Sequence, residues 1–170
     1  MTCKETGWFS SVAVHNDLVY AAAYNMVAAN KIYVLRHTGP VNNPWERVHR
    51  FSVMRGDVTL SVQKNQIVVC SAAKNRIEVY SMSGKLQRSY GKKGGSSPGH
   101  LDDPIVCNDD DDGNVLVADY YNDRLQVMSQ QGEFSIVALS PRPCYPAGAA
   151  LHESSLFVTS RDKKTISKYR

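Results

Sequence analysis

The sequence predicts an all-β chain assembled from repeated four-stranded antiparallel wedges, and three observations carry that expectation. Apolar runs of four to six residues, rich in Val, Ile and Leu, alternate with turns of Gly, Asp, Asn and Pro. The runs recur at fixed spacing: Ile67 and Val115, Ile77 and Leu125, and Gly84 and Gly132 are each 48 residues apart. No segment sustains a 3.6-residue apolar period, so helix is essentially absent from the reading and a doubly wound sheet, which needs helical crossovers, is not expected.

The clearest unit is residues 91–134. A glycine-rich segment, 91–99, leads to Pro104 and a short apolar run ending at Cys107. A turn at Asp112, Gly113 and Asn114 precedes a strand from Val115 to Ala118. A polar turn from Asp119 to Asp123 precedes a third strand from Arg124 to Met128, and Gly132 turns the chain into a fourth. One copy lies upstream, where Ile67 to Val69 and Ile77 to Tyr80 close on Gly84. Another, about 41 residues downstream, holds Leu156 to Val158 and Ile166 to Tyr169. A divergent copy near the start pairs Leu18 to Tyr20 with Ile32 to Leu35 and carries about four extra residues within 24–30. The expected blades are 8–53, 58–90, 104–138 and 146–170. Periods of about 40 to 50 residues made only of short strands describe a β-propeller rather than a helical solenoid.

Length and composition narrow the class. At 170 residues the chain reads as one domain. A net charge of +4 is too small to imply nucleic acid by itself. No apolar segment approaches the roughly 20 residues that span a bilayer, and no basic region followed by an apolar one opens the chain as a signal peptide would. Cys3, Cys70, Cys107 and Cys144 are widely spaced, without a C-x-x-C pair, and Cys70 and Cys107 sit inside apolar strand runs. With no N-x-[ST] site either, the expectation is a reducing, cytoplasmic setting.

The pattern G-x-x-G-x-x-x-G-x-x-x-x-P, then D-G-N-x-x-V-A-D-x-x-N-x-R-x-Q-V, then G-E-F resembles the NHL repeat. It falls on Gly91, Gly94 or Gly95, Gly99, Pro104, Asp112 to Asn114, Val117 to Asp119, Asn122, Arg124, Gln126, Val127 and Gly132 to Phe134. The upstream copy has Ser71 in place of the aspartate but keeps Asn75 and Arg76; the last copy has Ser160 and Thr165. NHL propellers resemble one another in usually having six blades, so the four copies imply a partial propeller of a longer chain. A closed four-bladed ring, with residues 2–7 supplying a last strand, is the alternative. Physics favours the first: a bare blade face of four strands by five residues is roughly 320 Å². Leaving one wet costs on the order of 8 kcal/mol, against about 5–15 kcal/mol for a whole domain.

The candidate binding residues lie on the turns of one face. Turns between second and third strands carry Lys74, Tyr120, Tyr121, Asn122 and Lys163; connections between blades carry Lys92, Lys93, His100, Arg142 and Tyr145. Arg124 is placed with them, although it also pairs naturally with Asp119 across its hairpin, and Asp112, Gly113 and Asp119 read as structural turn residues. Basic groups among tyrosines suit an acidic peptide or single-stranded RNA whose bases stack on the rings.

Other chemistry finds little footing in the residues. Asn108, Asp110, Asp112, Gly113 and Asp119 imitate a calcium loop, but strands flank them and position 12 is Asp, so no metal is expected. His15 and His152 occupy matching turns without companions for zinc. Neither a G-x-S-x-G elbow nor a phosphate-loop ending occurs. The expected function is a non-catalytic platform for a protein partner, without cofactor or membrane. The resemblance implies target selection for a tripartite-motif ubiquitin ligase, with oligomerisation through other domains of a longer parent. Single-stranded RNA binding is the alternative, and a zinc-dependent, peptide-amidating lyase of similar fold is the second.

Overall fold

The computed structural model describes residues 8–25, 28–39, 45–109, 112–139 and 141–169. The first sheet contains β1 (Trp8–His15), β2 (Leu18–Tyr24), β3 (Asn30–His37) and β4 (Trp45–Val53). The second contains β5 (Val58–Gln63), β6 (Gln66–Ser71), β7 (Arg76–Ser81) and β8 (Leu86–Tyr90). A two-stranded parallel ladder, β9 (Lys92–Lys93) with β10 (His100–Leu101), follows. The third sheet contains β11 (Pro104–Asp109), β12 (Val115–Asp119), β13 (Arg124–Met128) and β14 (Phe134–Ile136). The last contains β15 (Pro146–His152), β16 (Ser155–Ser160) and β17 (Thr165–Tyr169).

Within each sheet the strands run in chain order and pair antiparallel. The first strands of successive sheets pack on one another, β1 on β5, β5 on β11 and β11 on β15. Sheets joined through their first strands in this way are propeller blades around an axis. The fold is therefore all-β and propeller-like, as the repeats predict. The fourth blade has three strands among the described residues. One detail differs from the expectation: the glycine-rich segment forms a short ladder, where only a loop was foreseen. Among the described residues helix is confined to single 3-10 turns at Ala72–Lys74 and Tyr120–Asn122, 48 residues apart.

Three apolar layers sit between the four blades. Tyr20, Ile32 and Val34 meet Leu60, Ile67 and Val69; Val68, Ile77 and Val79 meet Val106, Val115 and Val117; Leu116, Ala118 and Leu125 meet Val158. The period of two explains how one strand serves two layers: Val68 and Val69 of β6 point to opposite neighbours. The outward faces of the end blades carry exposed apolar side chains, although Tyr33, facing outward between Ile32 and Val34, is buried. Ser11 Oγ accepts the Leu60 N–H and Ala13 packs in the first layer, so Val12 and Val14 point away, 65% and 69% exposed. At the other end Ile166 is 73% exposed. Residues 2–7, Cys3, Asp110 and Arg170, which entered the expectations above, lie outside the described residues.

Candidate functional site

The second, third and fourth blades each tie down the segment leading into their own first strand through one repeated position. Asp119 Oδ1 accepts the Asp102 N–H at 2.7 Å; Ser71 Oγ donates to the Arg55 carbonyl at 3.0 Å; Ser160 Oγ donates to the Cys144 carbonyl at 2.6 Å. The next blade is gripped one turn later. Asn75 and Asp123, at the left-handed end of each 3-10 turn, accept the N–H of Asp103 and Tyr145 respectively, both at 2.8 Å. Asn and Asp tolerate this conformation best among residues with a side chain, which is why they stand there. The spacing of 48 residues was the signal for these clasps, and the sequence analysis did not draw it.

Arg124 is not on the exposed turn face. It is 5% exposed, and its Nε lies 2.8 Å from Oδ2 of Asp119, which has no exposed surface at all. Its remaining donors reach the carbonyls of Ser96, of Ser97 at 3.2 Å and of His100 at 2.7 Å. Gln126 completes the knot, donating to Asp119 and to the His100 carbonyl, both at 2.9 Å, and accepting the Gly99 N–H. A buried guanidinium needs all of this compensation. The earlier grouping with Tyr120 and Tyr121 fails because Arg124 points inward to hold the glycine-rich segment. Asp119 likewise has both oxygens engaged, Oδ1 by Asp102 and Oδ2 by Arg124, Gln126 and Asn122.

The tyrosines do converge. Tyr120 and Tyr121, from the third blade, and Tyr145, leading into the fourth, have ring centroids 4.9, 5.2 and 6.2 Å apart in tilted and edge-to-face pairs. Tyr121 is 59% exposed. Asn122 and Asp123 give their carbonyls to Arg142, at 2.7 and 2.8 Å, so this arginine braces the tyrosine turn while staying exposed. Beside it is a cavity of about 340 Å³ walled by Ile136, Val137, Ala138, Leu139 and Pro143, with Arg142 and Arg124 on its polar side.

The other candidates separate from this cluster. Lys92 and His100 line a different cavity, between the outer strands of the second and third blades, which shares no lining residue with the tyrosines. Lys93 is exposed beside Lys92, and Lys74 and Lys163 are exposed on the matching turns of the second and fourth blades. Asp112 and Gly113 form the β11–β12 turn, whose Asp112 carbonyl accepts from Lys64 Nζ and Gln130 Nε2. Acidic groups on the tyrosine-bearing side went unnoticed in the sequence. Partial burial pushes the Asp103 carboxyl above its ordinary value, the charges of Asp102 and Asp57 add to this, and Arg161 opposes it. Among the described residues no group of three metal-ligating side chains comes together, and no helix is long and apolar enough to cross a membrane.

Blades packed through their first strands, with an aromatic and arginine cluster on the turns, define a β-propeller. Solved structures agree at the level of fold. Virginiamycin B lyase from Staphylococcus aureus superposes over 100% of this chain and 57% of its own, with a TM-score of 0.65 and 14% identity. An auxiliary nutrient binding protein from Bacteroides thetaiotaomicron covers 94% of this chain and 47% of its own, with a TM-score of 0.68 and 14% identity. The computationally designed protein Ika4 covers 99% of this chain and 94% of its own at 10% identity and a TM-score of 0.64. The chain thus spans a little over half the length of the lyase. No protein-family model and no curated protein sequence matches it.

Proposed function

We propose that this chain is an NHL-type propeller that acts as a non-catalytic docking platform for a protein partner, through the tyrosine cluster and the apolar cavity next to it. The observation that carries the reading is the meeting of Tyr120, Tyr121 and Tyr145 with Arg142 beside a cavity walled by five apolar residues. Tyrosine and arginine are enriched where binding energy concentrates, and a rigid ring cluster loses little entropy on docking. The cavity would take an apolar side chain of the partner. In a tripartite-motif ligase, the setting the NHL resemblance suggests, such a face would select the substrate. Unpaired Cys70, Cys107 and Cys144 fit a cytoplasmic, reducing setting.

Protein is favoured over RNA because Asp57, Asp102 and Asp103 lie on this side, where burial first and then the charges of Asp102 and Asp57 hold the Asp103 carboxyl above its ordinary value. Their field opposes a phosphate backbone. The test is a selection of random peptides on the purified chain. Selected peptides should bind Tyr121→Ser at least about tenfold more weakly, as loss of a central aromatic anchor costs. Their binding should be unchanged by Val14→Thr. Peptides indifferent to Tyr121→Ser, or salt-sensitive capture of an oligonucleotide in their place, would overturn the reading.

A further inference from the structure

The NHL-like arginine has two fates in this chain. In the third blade Arg124 is locked onto Asp119 and three carbonyls. Its counterpart 48 residues earlier, Arg76, has no such carboxylate, because Ser71 stands where Asp119 stands and spends its hydroxyl on the Arg55 carbonyl. Arg76 is exposed, with no hydrogen-bond or ion-pair partner among the described residues. It lines the cavity of about 320 Å³ between the second and third blades, together with Ser89, Tyr90, Lys92, His100 and Phe134. Among the described residues the Lys92 ammonium is also unpaired, no Asp or Glu lines the cavity, and the buried Nδ1 of His100 has no hydrogen-bond partner. The Tyr90 and Phe134 rings stand edge to face, 6.3 Å apart.

We infer that this cleft binds an aryl phosphate, of the kind a phosphorylated tyrosine side chain presents. Two unpaired cations with no acid among them favour a dianion over a neutral or singly charged group. A guanidinium fork fits phosphoryl oxygens in pairs, with Lys92 as a point charge beside it. Tyr90 and Phe134 offer ring edges and faces to a flat group, and the volume is on the scale of a small-ligand site. This cleft is separate from the tyrosine cluster, so either reading stands or falls without the other.

The experiment is titration of the full chain with phenyl phosphate, inorganic phosphate and phenol, followed by amide chemical shifts. Phenyl phosphate should bind saturably, at least about tenfold tighter than either half alone, with shifts centred on residues 76, 90–92 and 134. Arg76→Gln and Lys92→Gln should each weaken it by about tenfold or more, the loss expected for one charge-assisted hydrogen bond. Lys93→Gln, next to the cleft but not lining it, should change it less than about twofold. A phosphotyrosine peptide should compete with phenyl phosphate, and a nucleoside monophosphate should not. Absence of saturable binding, equal binding of phenol or inorganic phosphate, indifference to Arg76→Gln, or equal competition by the nucleotide would each overturn the inference.

Discussion

Asp119 and Arg124 show how a pair of charges is made tolerable with almost no water around it. The carboxylate receives four donors and the guanidinium reaches three carbonyls as well as Asp119, so neither desolvated charge is left alone. Asp119→Ala should therefore cost about 3–5 kcal/mol in urea unfolding, because it strands a buried cation. In a double-mutant cycle with Arg124→Met the losses should fall well short of adding. Additive losses would mean that the pair is not coupled. The buried thiols make a different prediction. Burial moves Cys107 from its ordinary 9.0 up to about 11 and raises Cys70 well above 9.0, while burial and then Glu78 raise the Tyr80 hydroxyl. A raised folded pKa means the folded state holds its proton more tightly than the unfolded chain. The associated stability is complete below pH 9 and is lost as pH climbs through the folded values. Thermal melts should fall from about pH 9 upward, and Cys70→Ala with Cys107→Ala should flatten the first part of that fall; an unchanged alkaline slope would refute the assignment.

At the scale of the element, the turns that close the third strands of the second and third blades are shaped by the blade before each. Gly132, at φ 88, lies so close under the Tyr90 ring that an added Cβ would collide with it, and Gly84, at φ 82, sits likewise under Phe51. The glycines are thus required twice, by their backbone conformation and by an aromatic from the neighbouring outer strand. Gly132→Ala should destabilise by more than the roughly 1–2 kcal/mol of the left-handed backbone alone. The same change in a Tyr90→Ala background should cost less, which a pair of denaturation curves would decide. The sequence made the Gly84 and Gly132 turns legible through their spacing and the residues around them. It did not reveal Tyr90 and Phe51 as their lids, since those contacts cross between blades. The parallel ladder of Lys92–Lys93 with His100–Leu101 was illegible for a related reason: carbonyls held by Arg124 and Gln126, not local preference, fix the segment between its strands.

For the whole molecule the notable feature is a row of packed interiors with apolar side chains standing exposed on the outermost sheets. Val12 and Val14 stand out from one end and Ile166 from the other, whereas Val62, on the first interior layer, is buried. Val12→Thr with Val14→Thr should alter stability by less than about 1 kcal/mol, as exposed positions do, while reducing the binding of a dye that reads apolar surface. Val62→Thr should cost about 1–3 kcal/mol, since it buries a hydroxyl without a partner. If the end-face pair cost as much as Val62→Thr, those valines would be covered in solution.

By itself the sequence determined the strands of the four blades, the repeat and the class of fold, because alternation of apolar residues and turn chemistry are local and act through the nearest neighbours in the chain. It marked Asp112 and Gly113 as turn residues on the same grounds, whereas Asp119, read likewise, is the buried last residue of β12. Tertiary structure alone decided which polar groups are spent and which are free. Arg124 and Arg76 occupy one repeat position and look alike in the chain, yet one is held in a buried ion pair and the other stands exposed in a cleft. The difference lies in partners brought from distant residues, and burial, which sets the worth of every charge, is a property of the assembled blades.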